Sequence, residues 1–171
     1  MRRIMKKILS TIIILTLVFI VGGIVVARTA VYPVKDVSEI KSVSKEYNID
    51  PYFLAAIGHF ESRFDEKDYE KNDNNGVLRF SDETSIKLAH ELNMKNFKPI
   101  DLVDDKTSLK LGAYYLSKFK DEGLSKMVQE WNVRNKVDDT IDRRAYAKEY
   151  YVPKIEKNMK IIKILYPEMS F

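Results

Sequence analysis

The chain has 171 residues, of which 45% are hydrophobic and 32% charged, values that are typical of a globular protein and not of a disordered one. It contains no cysteine and only two histidines, His59 and His90, so we predict neither a disulfide framework nor a metal site. The net charge of +4 comes from the N-terminus, because the first 28 residues hold five basic and no acidic residues. The remainder holds 24 basic and 25 acidic residues, and this balance argues against a nucleic-acid-binding protein.

The first predicted element is a membrane-spanning helix at residues 8–27, where 20 residues in a row carry no charge and Ile, Leu and Val dominate. About 20 such residues span a bilayer core as a helix. Basic residues before it place residues 1–7 in the cytoplasm and export the C-terminal remainder of the chain. A cleaved signal peptide is the alternative, since Val25 and Ala27 offer a small-residue cleavage site, but its apolar region is usually only about 7–15 residues long. We favour a retained signal-anchor, with a linker after it at residues 28–36.

From residue 37 onward the apolar pattern is helical almost throughout. A first helix begins at Val37 and presents Ile40, Val43 and Tyr47 at spacings of three and four. Further helices are predicted from Asp50 to about Phe64, from Ser81 or Asp82 to about Leu92, from Asp104 or Asp105 to about Phe119, from Ser125 to Trp131, and from Arg143 to Leu165 with an interruption at Pro153. No alternating strand pattern of useful length occurs. The prediction is an all-α domain at residues 37–171.

The second of these helices carries a glutamate at its C-terminal end. Asp50 can cap its first amides and Pro51 suits the first helical position. At about 100° per residue, Glu61 lies only about 20° from Leu54 and about 40° from Ile57, at the margin of the apolar face. Burial and the negative end of the helix dipole both disfavour a carboxylate there, which suits a group that protonates a glycosidic oxygen. On position alone, however, an ordinary boundary glutamate is the better interpretation.

The sequence around this glutamate changes that interpretation. Residues 55–64 read Ala-Ala-Ile-Gly-His-Phe-Glu-Ser-Arg-Phe and closely resemble the Glu-Ser segment of the soluble lytic transglycosylase (SLT) domain family, a relative of goose-type lysozyme. Four later segments stand in the family's order: 76–84 resembles its Gly-Leu-Met-Gln loop, 101–104 followed by 111–116 its next segment, 130–132 its Ala-Tyr-Asn, and 151–155 its closing Tyr-Val motif. The resemblance spans about residues 37–166 and implies a lysozyme-like fold.

The resemblance also implies a reaction and a set of site residues. Glu61 would be the sole acid and base, cleaving the bond between N-acetylmuramic acid and N-acetylglucosamine and leaving a 1,6-anhydromuramyl end. This route needs no cofactor, no second carboxylate and no attacking water, unlike most glycosidases. The positions that would bind or orient the substrate are Ser62, Gly76, Arg79, Trp131, Asn132 and Tyr151. Structural roles stay open for three of them: Ser62 as a partner of a helix carbonyl, Asn132 as a helix cap and Tyr151 as a core residue.

Three departures from the family pattern bear on activity. Arg79 stands where the family usually has a glutamine, and a cation close to Glu61 would favour its ionised form and weaken it as an acid. Arg79 could instead point outward or hold a peptide-stem carboxylate. After Asn132 the chain reads Val133-Arg134 in place of the usual Ala-Gly, so we expect a loop of different shape. Trp131 replaces a common tyrosine, which keeps an aromatic ring for sugar stacking or core packing but loses the hydroxyl.

Three hypotheses therefore stand side by side. The first is a peptidoglycan lytic transglycosylase tethered at the outer face of the membrane, acting on glycan strands. The second is a hydrolytic muramidase that uses the same glutamate and a water molecule. The third is a catalytically impaired peptidoglycan-binding or scaffold protein that works with other proteins of an envelope complex.

Overall fold

The computed structural model describes residues 2–65, 67–137 and 140–171, without the side chain of Arg2. Helices dominate it, and the described residues form no strand beyond an isolated bridge between Asn75 and Phe80. The α-helices are α1 (Arg2–Val26), α2 (Val37–Tyr47), α3 (Pro51–Glu61), α4 (Asp82–Glu91), α5 (Asp105–Ser117), α6 (Leu124–Asn132), α7 (Arg143–Tyr146) and α8 (Val152–Leu165). Short 3-10 turns lie at Pro99–Val103, Lys120–Glu122 and Pro167–Met169, and π-helical turns at Ala27–Val31 and Ala147–Tyr151. The predicted all-α class is confirmed.

The first of two compact units ends at Pro33 and consists mainly of α1. This helix has 25 residues and continues into the π-helical turn at Ala27–Val31, beyond the predicted end of the apolar stretch at residue 27. At about 1.5 Å per residue it exceeds the thickness of a bilayer core, which is about 30 Å. By length and composition it is able to cross a membrane.

The second unit, Val34–Phe171, has α3 at its centre. Every residue of α3 from Pro51 to Gly58 is buried, and the helix packs against α8, α2 and α5. A helix that is apolar on all sides is a core helix and not a surface one. Three of the largest fully buried side chains, Phe53, Leu54 and Ile57, belong to α3 itself. The others are Phe64, Phe80, Ile40, Leu78, Leu88, Leu102, Leu109, Leu111 and Leu116.

Side-chain caps begin three of these helices where the sequence predicts them. Asp50 Oδ1 accepts a hydrogen bond of 2.7 Å from the backbone N–H of Tyr52, and Pro51 occupies the first position of α3. Where the sequence left two candidate caps open, the structure selects Ser81 for α4 and Asp104 for α5. Each side chain satisfies an amide that has no partner within its helix.

The C-terminal end of α3 differs from the prediction, which placed it at about Phe64. The helix ends at Glu61, and Arg63 and Phe64 both take left-handed backbone conformations with φ of 56°. The chain thereby turns back and the Phe64 ring packs on Gly58, where an added Cβ would lie 2.7 Å from the ring's Cζ. Burial of a large aromatic ring offsets two unfavourable backbone conformations. The early stop leaves Glu61 as the last helical residue.

The predicted interruption at Pro153 takes the form of a π-helical turn. Ala147–Tyr151 links α7 to α8, and Pro153 lies in the first turn of α8, where a missing N–H is tolerated. The helical stretch therefore continues through the proline with changed local geometry.

Candidate active site

The loop at residues 76–80 is fixed at Gly76. This residue has φ of +72°, and a Cβ there would lie 2.5 Å from the carbonyl oxygen of Leu102 and 2.8 Å from Ser108 Oγ. The buried Ser108 hydroxyl accepts a hydrogen bond of 3.2 Å from the backbone N–H of Leu78. Only glycine permits this backbone conformation and this close approach together. Gly76 thus sets the path of the 76–80 loop.

Ser62 joins this loop to the end of α3. Its hydroxyl donates to the carbonyl oxygen of Val77 at 2.8 Å and accepts from the backbone N–H of Phe64 at 3.0 Å. A second carbonyl, that of Gly58 in its own helix, lies at 3.3 Å. Ser62 therefore does more than bond to a carbonyl oxygen of its own helix. Its hydrogen bond to Val77 holds the end of α3, with Glu61, beside the 76–80 loop.

The Glu61 carboxylate has an N–H donor on each oxygen. Oε1 accepts a hydrogen bond of 2.9 Å from the indole Nε1–H of Trp131, and Oε2 pairs with Arg134 Nη2 at 2.9 Å. The Glu61 side chain is 17% exposed, so it lies at the edge of the core. Both donors come from the end of α6 and the segment directly after it. Within the described residues, no three His, Cys, Asp or Glu side chains are grouped to hold a metal ion.

Arg134 is a buried cation, with a side chain that is only 6% exposed. Nη1 donates to the carbonyl oxygen of Trp131 at 2.9 Å, and Nη2 donates to those of Leu78 and Arg79 at 2.8 and 3.0 Å. Its guanidinium carbon lies 4.0 Å from the Trp131 ring centroid, a cation–π distance. Burial lowers the pKa of Arg134 and the Glu61 carboxylate opposes this shift, yet an arginine stays charged at neutral pH. Glu61 is therefore the counter-charge of this guanidinium.

Trp131 contributes its N–H and not an open ring face. It is 3% exposed, and the rings of Phe80 and Tyr115 meet it edge-on at centroid distances of 5.4 and 5.9 Å. Of the two roles that the sequence left open for this ring, the structure places it in core packing. The hydrogen bond to Glu61 is a contact that sequence reasoning missed.

Arg79 enters this arrangement through its backbone. It has a left-handed φ of 52°, and its carbonyl oxygen accepts hydrogen bonds from Arg134 Nη2 and from Asn135 Nδ2, the latter at 2.8 Å. The cation that pairs with Glu61 is Arg134, at a position where the sequence predicts only a change in loop shape. The sequence feature that could have indicated this contact is the long cationic side chain of Arg134 in place of a glycine, three residues after the aromatic Trp131.

Comparison with protein families supplies the remaining observation. The family described as "Transglycosylase SLT domain" matches residues 38–134, more than half of the chain. The chain belongs to this family. Neither the curated proteins nor the solved structures that were compared contain a match. The match confirms the resemblance on which the sequence analysis relied, and it supports activity of the peptidoglycan lytic transglycosylase kind in general.

The SLT match includes most of the predicted site residues. Glu61, Ser62, Gly76 and Arg79 lie within it, as do Trp131 and Asn132, and Arg134 is its last residue. Trp131 and Arg134 contact Glu61 at the C-terminal end of α3, and Ser62 follows it in the chain. Asn132 is half-buried as the last residue of α6.

Tyr151 lies beyond the matched segment of the SLT domain, at the end of the π-helical turn. It is half-buried, and its ring centroid lies 4.9 Å from that of Phe60, the residue before Glu61. The ring of Tyr146 meets it from the other side at 5.4 Å. Tyr151 is therefore next to α3, with part of its surface in solvent.

A second ion pair joins helix α6, which carries Trp131, to Arg144 of α7. The buried Glu130 carboxylate accepts two hydrogen bonds from Arg144, at 2.8 Å from Nε and 2.9 Å from Nη2, and pairs with Lys126 at 2.8 Å. The Arg144 guanidinium holds the pKa of Glu130 at about 2, well below its ordinary value of 4.5. The Tyr115 hydroxyl also donates to the backbone carbonyl of Glu130 at 2.9 Å. These contacts hold the helix that presents Trp131.

Proposed function

We propose that this SLT-domain protein is a membrane-anchored peptidoglycan lytic transglycosylase with Glu61 as its acid and base. The observation that carries the proposal is the place of Glu61: it is the last residue of the core helix α3, inside the matched SLT segment, and its carboxyl group is only partly exposed. A partly buried carboxyl group is suited to proton transfer in a site from which water is largely excluded.

The proposed reaction uses one proton and no water. Glu61 donates its proton to the glycosidic oxygen as the bond from C1 of the muramyl residue to that oxygen breaks. The muramyl 6-hydroxyl oxygen then bonds to C1 and its proton passes to the Glu61 carboxylate. The products are a 1,6-anhydromuramyl end and a free hydroxyl on the leaving sugar, and Glu61 regains its starting form. A second carboxylate, which most glycosidases require, has no part in this sequence.

The other site residues have two kinds of proposed role. Ser62 and Trp131 orient Glu61, a proposal supported by their contacts with the 76–80 loop and with Oε1. Arg79, Asn132 and Tyr151 line the glycan groove, supported by their half-buried side chains. Gly76 acts on the groove through the path of the 76–80 loop.

The helix α1 is proposed to be the membrane anchor. Its apolar side chains and its length suit a bilayer, and the basic residues at its N-terminal end favour a cytoplasmic N-terminus. The SLT domain is then on the outer side, where peptidoglycan lies.

The test is an analysis of products. The full chain in detergent is incubated with purified peptidoglycan, and the released fragments are identified by mass spectrometry, with Glu61→Gln as the matched control. We expect anhydromuramyl ends from the wild type and none from the variant. Reducing ends that have gained water would identify a hydrolytic muramidase instead. Release by Glu61→Gln at the wild-type rate would refute the assignment of Glu61.

One observation favours a second candidate function. Both oxygens of the proposed acid are engaged, one of them by a buried guanidinium. A protein in which this state persists binds glycan strands without cleaving them and serves as a wall-binding or scaffold component. Sedimentation with peptidoglycan, without fragments at any pH and without change in Glu61→Gln, would identify this function.

A further inference from the structure

Arg134 fills a place where the family resemblance leads one to expect a glycine, a residue with no side chain. The guanidinium reaches from the segment after α6 to the end of α3, 73 positions away in sequence, and contacts the group that the proposed reaction uses as its acid. The proposed mechanism assigns no task to this contact.

We infer that Arg134 is a positioning residue that restrains Glu61, holding it as a paired carboxylate until the glycan displaces it from the pair. This inference rests on the proposed function and deepens it, because it concerns regulation of the same site. Arg134 exchanges no proton and forms no bond in the reaction.

The contact geometry opposes the reactive form of the acid. A protonated carboxyl group has an O–H to donate, whereas both Glu61 oxygens face N–H donors, from Trp131 and from Arg134. Charge-assisted hydrogen bonds of this kind are about twice as strong as neutral ones. Before Glu61 can carry a proton to a glycosidic oxygen, Oε2 therefore has to leave the guanidinium.

The movement belongs to Glu61 and not to Arg134. The guanidinium donates to the carbonyl oxygens of Trp131, Leu78 and Arg79 and stacks on the Trp131 ring, so its position is fixed by contacts other than the ion pair. Glu61 is more exposed, at 17% against 6%, and it ends its helix. A rotation of the Glu61 side chain towards bound glycan releases the acid while Arg134 stays in place.

The charge of Arg134 lies directly against the Glu61 carboxylate. Among the described residues, the ion pair of Glu61 is with Arg134, and the groups that act electrostatically on Arg134 itself are Glu61, the Tyr115 hydroxyl and Arg143. Trp131 is neutral. Removal of the guanidinium therefore acts on the Glu61 side chain itself and should change kcat with little change in KM, a division that a purely structural role of Arg134 does not produce.

The experiment measures kcat and KM for release of anhydromuramyl fragments by the full chain in detergent, from acidic to mildly alkaline pH. The variants are Arg134→Gln, Arg134→Gly and Arg134→Lys. The control is Lys110→Gln, which breaks the surface ion pair of Lys110 with Glu46. Circular dichroism checks the fold of each, and Arg134→Gln serves as the test if Arg134→Gly fails to fold.

We expect Arg134→Gln to raise kcat at neutral pH about tenfold or more, the effect of losing one charge-assisted hydrogen bond from the unreactive form. Its KM should change little, because Arg134 is a restraint on Glu61 and not part of the glycan-binding surface. Arg134→Lys should keep most of the restraint, and Lys110→Gln should match the wild type.

Two results would overturn the inference and leave the proposed function standing. One is an active wild type with a folded Arg134→Gln variant of the same kcat. The other is a folded Arg134→Gln variant with lower kcat, which would show that Arg134 promotes the reaction and does not restrain Glu61. If no variant releases fragments at any pH, the proposed function fails and the inference fails with it.

Discussion

Glu61→Gln replaces a carboxylate by a neutral amide of almost the same shape, and we expect this change to destabilise the fold. Removal of a catalytic side chain often has the opposite effect, because active sites trade stability for activity. Here the carboxylate is the counter-charge of the buried Arg134 guanidinium, 2.9 Å away. The variant leaves that cation in the core with carbonyl oxygens as its remaining partners.

The magnitude can be worked out from the contacts. Removal of one partner of a fully buried ion pair destabilises by about 3–5 kcal/mol, and a hydrogen bond to a charged group contributes about 1.5–3 kcal/mol. Glu61 is 17% exposed, and Arg134 keeps three carbonyl acceptors, so the expected loss is smaller than for a fully buried pair, about 1.5–3 kcal/mol. The amide of the variant can still accept from Trp131, which further limits the loss.

A double-mutant cycle isolates the pair. Urea unfolding of the full chain in detergent is monitored by fluorescence of Trp131, the single tryptophan, which itself contacts Glu61. The cycle combines Glu61→Gln with Arg134→Met, and we expect a coupling free energy of about 1–3 kcal/mol. The exposed pair Lys110–Glu46 provides the matched cycle, with an expected coupling below about 1 kcal/mol.

The reasoning is refuted if Glu61→Gln is as stable as the wild type or more stable. A coupling equal to that of the exposed pair would carry the same conclusion, because the guanidinium would then not depend on the carboxylate. Either result would remove the physical basis of the restraint on the acid.

Two further predictions concern the frame of the site. Gly76→Ala should destabilise by about 3 kcal/mol or more and abolish fragment release, because its Cβ would lie 2.5 Å from the Leu102 carbonyl oxygen at a φ of +72°; a wild-type urea midpoint would contradict this. The pKa of Glu130 is about 2 in the folded protein, against an ordinary value of 4.5. The ionised carboxylate therefore stabilises the fold above the ordinary pKa, and this stabilisation is lost as the pH falls towards 2. With Arg144 half exposed we expect about 1–3 kcal/mol, and Glu130→Gln should flatten this part of the stability–pH curve; parallel curves for the two proteins would count against the ion pair.

The helices were predictable because their signals are local. Asp50, Ser81 and Asp104 each precede an apolar helical pattern, and a cap needs only an amide two or three residues further on. The position of Glu61 at a core margin was predictable from the same periodicity. Motif order along the chain then predicts a catalytic role for Glu61, which its own position does not indicate.

The partners of Glu61 were not predictable in this way. Trp131 is 70 positions away in sequence, and no periodicity encodes which side chain of a distant segment meets a helix end. The prediction for the end of α3 was wrong for a related reason, since the stop at Glu61 depends on the packing of Phe64 against Gly58. Tertiary packing decides both features.

The departures at Arg79 and Arg134 act as one structural unit. Arg79 has a left-handed backbone conformation, and its carbonyl oxygen accepts a hydrogen bond from Arg134 Nη2. The same nitrogen donates to the carbonyl oxygen of Leu78 and pairs with the Glu61 carboxylate. A glycine at position 134 therefore leaves two loop carbonyls without this donor while it frees the acid. Glutamine keeps a donor near them and removes the charge. The larger gain in activity is accordingly expected from Arg134→Gln, although glycine is the residue of the family pattern.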